Sequence, residues 1–172
     1  MATSAYLKLV DYSNTQMMGT SQVAGHEHEI DVIHWSWGAD QSLNIASQSV
    51  GASVGKVTFR TLHIQKLIDT TTPPLFGCLC SGSPFKDAIF TLSRPLGGEG
   101  ATATFFTVDM KLAAIKSITY SEADDPTETI EFECGGAVLT FVPFTGDGNV
   151  GEAVVNGWNR VKNISFTGGD IN

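Results

Sequence analysis

Charge is scarce in this chain. Of its 172 residues only 16% are Asp, Glu, Lys or Arg, where average globular chains carry about 25%. What charge there is leans one way: 18 acidic against 10 basic residues give a formal net charge of −8. That excludes a general nucleic-acid binder, which needs clustered Lys and Arg against phosphate, and an anionic membrane surface. With 42% hydrophobic residues, the low charge also excludes a disordered, solvating chain. The surface must owe its polarity to Ser, Thr, Asn and Gly, or be covered by further copies of itself.

Cysteine is equally sparse. Cys78, Cys80 and Cys134 are three in number, too few and odd for a disulfide framework. They are expected to be reduced, mostly buried thiols in a protein that folds in the cytosol. No long hydrophobic run is present, so no transmembrane helix is expected. The N-terminus, Met-Ala-Thr-Ser-Ala-Tyr-Leu-Lys, has no basic region leading into an apolar one, so no secretory signal peptide is expected either. Linkers and internal repeats are missing. Residues 1–172 are expected to form one domain.

Glycine is what the chain has in quantity. Eighteen glycines cut the sequence into short runs of β-branched and aromatic residues, the pattern of an all-β domain. Candidate strands are Leu7–Val10, 26–38, Lys56–Ile64, Ala88–Leu92, Thr104–Met110, Ala114–Tyr120, Thr129–Cys134, Val138–Phe144 and Arg160–Phe166. In Thr129–Cys134, Ile130, Phe132 and Cys134 share one face and Glu131 and Glu133 the other, as in a half-buried antiparallel strand. Cys134-Gly135-Gly136-Ala137 reads as a tight hairpin. Gly97-Gly98-Glu99-Gly100 and Gly146-Asp147-Gly148-Asn149 read as further turns, with neither the ending of a P-loop nor the oxygen ligands of a calcium loop.

One segment carries helix punctuation. Thr72 suits an N-cap, Pro73 the first helical position and Gly82 the stop. Leu75, Cys78 and Leu79 then form one apolar face. Residues 40–55 differ again: Ser-rich, uncharged after Asp40, yet with Leu43, Ile45, Val50 and Val54. An arm of this length is either functional or disordered.

The search for reactive chemistry finds little. His26 and His28 would share a face on a strand and could chelate a metal. The Glu that a cupin-type site needs four or five residues further on is absent, since Val32 and Ile33 stand there. Glu29 would point to the opposite face. Gly-x-Ser-x-Gly does not occur, and Glu122, Asp124 and Asp125 read as a solvated turn. Asn163-Ile164-Ser165 is a formal glycosylation sequon without a secretory context. No enzyme activity, cofactor or metal is expected.

The most informative stretch is Ile33-His34-Trp35-Ser36-Trp37-Gly38. Strand parity places Trp35 and Trp37 on one face, a core or subunit seam, and His34 and Ser36 on the other, polar and turned to water. Upstream the pattern inverts: Ile30 and Val32 share the Ser36 face. A β-bulge or a change of surroundings along the strand would account for this.

Four stretches, in order, resemble the Hcp family, the haemolysin-coregulated tube protein of the bacterial type VI secretion system. They are His28 through Trp37-Gly38; Gly55-Lys56-Val57-Thr58-Phe59 through Leu62-His63 to Lys66 and Asp69; Thr72-Pro73-Pro74-Leu75 through Cys78 to Ser81-Gly82; and Gly157-Trp158-Asn159. The similarity runs from Tyr6 to Phe166. It implies a compact antiparallel β-barrel of two sheets, flanked by one helix and extended by a protruding loop. It also implies homohexameric rings that stack into a hollow tube, assembled in the cytoplasm and secreted without a signal peptide. Sheath, spike and baseplate proteins would be partners, with small effector proteins in the lumen. Ser36 matches a lumen-facing cargo position, and His34 shares its face. Ser42, Leu43, Asn44, Ile45, Val50, Gly51, Val54 and Gly55 match the loop that makes subunit and ring contacts. The alternative is a secreted ring-shaped effector chaperone that forms no long tubes. A third possibility, from a different class, is a metal-dependent β-barrel enzyme.

Overall fold

The computed structural model describes residues 3–44, 53–96, 102–122, 124–145 and 149–171. In chain order the elements are β1 (Ser4–Val10), β2 (Ile30–Val32), β3 (His34–Ser36), β4 (Ala39–Asp40), β5 (Leu43–Asn44), β6 (Ser53–Val54), β7 (Thr58–Phe59), β8 (Leu62–Leu67), α1 (Thr72–Ser81), β9 (Phe85–Pro95), β10 (Thr102–Ser121), β11 (Thr127–Phe141), β12 (Val154–Asn159) and β13 (Ile164–Ser165). Nine strands form one antiparallel sheet in the order β13-β12-β11-β10-β9-β1-β2, with β8 also pairing β11, and β3 pairing β8. The pairs β4–β7 and β5–β6 stand apart from it.

All-β with one helix is therefore correct, but the sheet is not a closed barrel. The gap falls at Ile33. The segment expected as one strand over 26–38 changes partner there: β2 pairs β1, while β3 pairs β8. Ile33 is exposed, and its N–H donates to the Gln65 carbonyl at 2.7 Å. The chain itself, not a ladder, joins the two flanks. This partner change also explains the inverted parity. Val32 is buried on one side of Ile33, and Trp35 packs on buried Phe90 on the other, at 4.7 Å between ring centroids. The expected strand also starts too early. His28 has a φ of +62°, in the left-handed region that interrupts extended backbone.

Two long strands replace four short ones. β10 runs unbroken where two strands were expected, bending at Leu112, whose φ is +50°. β11 runs straight through Cys134-Gly135-Gly136-Ala137, so the expected hairpin does not form. The glycines serve close approach instead. A Cβ on Gly136 would lie 2.7 Å from Ile171 Cδ1 and 3.1 Å from the Trp158 carbonyl oxygen. Core parity shifts by one across the two glycines: Phe132 and Cys134 belong to the core cluster before them and Ala137 after them, although Val138 is buried too. Lys56–Ile64 divides into β7 and β8, and the last strands, β12 and β13, flank the turn that begins the expected 160–166 run. The turns at 97–100 and 146–148 lie outside the described residues, but Thr102 pairs with Pro95 and Phe144 bridges to Val150.

The alternation at 129–134 is as expected: Ile130 and Phe132 are fully buried, and Cys134 nearly so. With Leu7, Leu9, Leu62, Ile64, Phe90, Val108 and Met110 they form the core. Helix α1 closes it through Leu75, with Cys78 and Leu79 partly buried against the cluster. Its N-cap is Thr71, one residue before the expected Thr72, and makes no side-chain cap. The Asp69 carboxylate fixes the entry instead, accepting from the Thr71 N–H at 2.8 Å and from its hydroxyl at 2.6 Å. Gly82 ends the helix in the left-handed region, φ +66°, as expected.

A buried polar tether ties this helix to the sheet. Lys66 Nζ donates to Glu128 Oε1 at 2.7 Å and to Asp69 Oδ1 at 2.9 Å. The Thr72 hydroxyl also donates to Glu128 Oε1, at 2.7 Å. Burial would raise the Asp69 pKa, but the hydrogen bonds from Lys66 and Thr71 outweigh it and hold the carboxyl below its ordinary range.

Candidate functional site

The outer face of the sheet is polar where β3, β8, β11 and β10 lie side by side. Cross-strand register sets Ser36 opposite His63, His34 opposite Gln65, His63 opposite Glu131 and Gln65 opposite Thr129. Glu131 in turn faces Ser117 on β10. His34 and Ser36 are both exposed; Trp35 between them is 39% exposed, with its ring packed on buried Phe90. With Trp35, His63, Ile64, Gln65 and Thr129 they line a shallow depression of about 250 Å³. His63 Nε2 lies 2.9 Å from the Thr61 hydroxyl, and its Nδ1 lies 3.8 Å from Glu131 Oε1. Gln65 donates to the Thr127 hydroxyl at 3.2 Å. These groups offer hydrogen bonds in several directions with little net charge.

Elsewhere, residues of β3, β4, β7, β10, β11 and β12 open into an aromatic groove of about 540 Å³. Trp35, Trp37, Phe59, Phe106, Leu139 and Trp158 supply most of its walls. Trp37 meets Phe59 edge to face at 5.5 Å, and Trp35 lies 6.5 Å from Phe106. Among the described residues no charged side chain lines this groove. The indole N–H groups of Trp37 and Trp158 are buried and lack an acceptor among the described residues, which is costly for a polar group out of water.

From the rim of the groove an arm departs. Its root is the β4–β7 pair, with Ala39 opposite Phe59. Arg60 clamps Asp40 there through two hydrogen bonds of 2.7 Å. That bonding, from an exposed guanidinium, pulls the Asp40 pKa down. Further out, Leu43 pairs with Val54 and Asn44 with Ser53. The Gly55 N–H donates to the Ser42 carbonyl at 2.9 Å, and a Cβ on Gly55 would lie 2.9 Å from Ser42 Cβ. Leu43 is 59% exposed. Ile45, Val50 and Gly51 lie outside the described residues.

His26 and His28 do not share the face of a strand. His26 is buried, stacked on Tyr6 with ring centroids 4.1 Å apart. Its two ring nitrogens are taken up by Glu29 at 2.8 Å and the Ser93 hydroxyl at 2.7 Å. His28 is exposed and turned by its positive φ. Among the described residues no three His, Cys, Asp or Glu gather to hold a metal ion. All three cysteines are free, but Cys80 is exposed rather than buried. Burial pushes the Cys134 thiol up to about 12, which leaves it inert.

Sequence reasoning missed His63, Gln65, Thr129 and Glu131 as members of the polar face. The alternation Leu62-His63-Ile64-Gln65 held the signal for two of them. Which strands pair with β3 was not visible. Leu139 was missed as a groove residue because core parity in β11 shifts across Gly135–Gly136, and Trp158 because its pairing with Ala137 on β11 was not visible.

Fold and site together define a β-sheet building block, whose chemistry lies in broad faces and a projecting arm. The family model "Type VI secretion system effector, Hcp" matches residues 6–140. A solved type six secretion system protein is 24% identical, with a TM-score of 0.84, covering 96% of this chain and all of that one (100%). Hcp1 from Salmonella typhimurium is 22% identical with a TM-score of 0.73, covering 96% and 100%. A chain of the six-fold-symmetrised anti-feeding prophage baseplate is 10% identical with a TM-score of 0.52, covering 81% and 93%. No curated protein matches by sequence. The chain belongs to the Hcp family, the tube proteins of the type VI secretion system. No helix among the described residues is long and apolar enough to cross a membrane.

Proposed function

We propose that this tube protein assembles into hexameric rings that stack into a hollow tube, with the face of His34 and Ser36 turned to the lumen. The observation that carries the reading is the division of β3. One side is polar, with His34 and Ser36 exposed beside half-buried His63, Gln65 and Thr129, and the other is an aromatic groove left open in the single chain. A lumen wall needs the first and a subunit seam the second, since charge is depleted at the core of interfaces. The six-fold symmetry of the related baseplate supports a ring of six.

Small effector proteins would meet His34, Ser36, His63 and Gln65, held by many weak hydrogen bonds rather than one deep pocket. The arm residues Ser42, Leu43, Asn44, Ile45, Val50, Gly51, Val54 and Gly55 would serve subunit and ring contacts. Sheath, spike and baseplate proteins are the outer partners, nucleic acid and membrane insertion play no part, and export bypasses the general secretory route. The role is geometric rather than enzymatic. Negative-stain micrographs of the purified chain test it: rings and stacked tubes are expected, and uniformly small single particles would contradict it.

A further inference from the structure

The polar depression holds two imidazoles in different settings. Exposed His34 and half-buried His63 line it together with Ser36, Gln65 and Thr129. Residues opposite each other in a sheet project from the same face. Ser36 lies opposite His63 and His34 opposite Gln65, so the two imidazoles are diagonal neighbours on β3 and β8.

Hydrogen bonding decides where His63 takes up a proton. The Thr61 hydroxyl donates to Glu131 Oε2 at 3.3 Å. With its hydrogen engaged there, its oxygen accepts from His63 Nε2 at 2.9 Å. A neutral imidazole carries one N–H, so Nδ1 is the bare nitrogen. It faces Glu131 Oε1 at 3.8 Å. A proton added at Nδ1 therefore lands beside a carboxylate and cancels its charge. Among the described residues no carboxylate lines the depression with His34.

The other charged groups nearby are of a kind that does not change over the same range. Arg60, beside Ser36 and His63, is clamped to Asp40 by two hydrogen bonds. Glu133, further along β11, lies 3.6 Å from Arg160. Lys116 is exposed where β10 bulges beyond Glu131. Carboxylates, lysine and arginine ordinarily keep their charge between about pH 5 and 8. Histidine is the side chain that ordinarily changes charge there. Near neutral pH the depression is thus uncharged and bordered by the Glu131 carboxylate, which repels acidic groups. In mild acid His63 neutralises Glu131. His34 then adds a positive charge beside the Ser36 and Thr129 hydroxyls. An imidazolium and hydroxyls are donors that suit a carboxylate.

Resting on the reading of this face as the wall that meets cargo, we propose that the depression is a proton-gated carboxylate site. It takes an Asp or Glu side chain of a partner protein in mild acid and releases it near neutral pH. His34 is the receptor, and His63 with Glu131 is the gate.

A fluorescently labelled hexaglutamate peptide tests this on the full chain, by anisotropy at low salt, with hexaglutamine as the uncharged control. Hexaglutamate should bind about tenfold tighter at about pH 5.5 than at about pH 7.5, as one charge attraction is gained and one repulsion lost in water. Hexaglutamine should show no such change. His34→Gln should abolish the gain. Glu131→Gln should bind hexaglutamate tighter already at about pH 7.5, a gain that a folding defect does not produce. His28→Asn, at an exposed histidine elsewhere, should keep the full pH response. A response that survives His34→Gln, or one lost in His28→Asn, would overturn the site. Light scattering on the same samples reads assembly separately. A single-chain mass would overturn the ring reading. Intact rings that bind hexaglutamate without pH dependence would overturn the carboxylate site alone.

Discussion

Lys66 and Glu128 face each other across β8 and β11 at 2.7 Å, both side chains all but sealed from solvent at 1% and 0% exposure. Around them Asp69 and Thr72 complete a polar knot at the mouth of helix α1. Glu128 Oε2 has no partner among the described residues, so they leave one acceptor of the knot unpaired. Removing one side of a buried pair strands the other charge, at a cost of about 3–5 kcal/mol. Lys66→Met is therefore expected to unfold at markedly lower urea concentration. Lys66→Met/Glu128→Leu together should recover most of that loss. A double variant as unstable as the single one would show that the pair stabilises in its own right.

Acid sensitivity follows from the same knot. Asp69 is held below its ordinary range by Lys66 and Thr71 against the opposing effect of burial. A carboxyl with a lowered folded pKa stabilises fully above the unfolded value, about 3.9. It loses that contribution as pH falls through the lower folded value. Urea midpoints measured from pH 6 downward should fall below about pH 4. Asp69→Asn should be less stable at pH 6 and decline less on acidification. An equal acid decline in both proteins would remove Asp69 from the explanation.

Glycine substitutions separate space from flexibility. A Cβ at Gly157 would lie 2.6 Å from the Ala137 carbonyl oxygen and 2.9 Å from Val138 Cα, both backbone. At Gly136 the nearest atom is the mobile end of Ile171. Gly157→Ala should thus cost more than Gly136→Ala, with overpacking of this kind worth about 1–3 kcal/mol. Thermal melts of the two variants check the order, and the reverse ranking would contradict it.

These glycines also show why part of the fold was hidden. Gly135-Gly136 between two apolar runs reads alike whether the chain turns back or merely needs room. The group that needs the room, Ile171, is far along the sequence. Period-two alternation was legible wherever one strand kept one environment, as at Ile130 and Phe132. It failed at Ile33, where the chain changes neighbours, and at His26, whose partners are Tyr6 and Ser93 on other strands. The helix was placed to within one residue because its signals, Pro73 and Gly82, are local. Polarity at His34 and Ser36 was visible from parity alone, whereas the neighbours that widen it into a face required the pairing of β3 with β8.

The proposed cargo contact at Ser36 has its own test. The side chain is exposed and sits beside His63. Replacing it with Trp should leave the oligomer intact, since no core contact is lost, while reducing retention of a co-purifying effector several-fold. Pull-down of effector with equal amounts of oligomer checks this. Loss of the oligomer itself would make Ser36 a structural residue.

Self-assembly is the central claim, and the mass of the purified chain in solution tests it most directly. Light scattering at tens of micromolar protein should give six times the chain mass, or multiples of that as rings stack. A single-chain mass over the whole concentration range would contradict the tube-subunit mechanism.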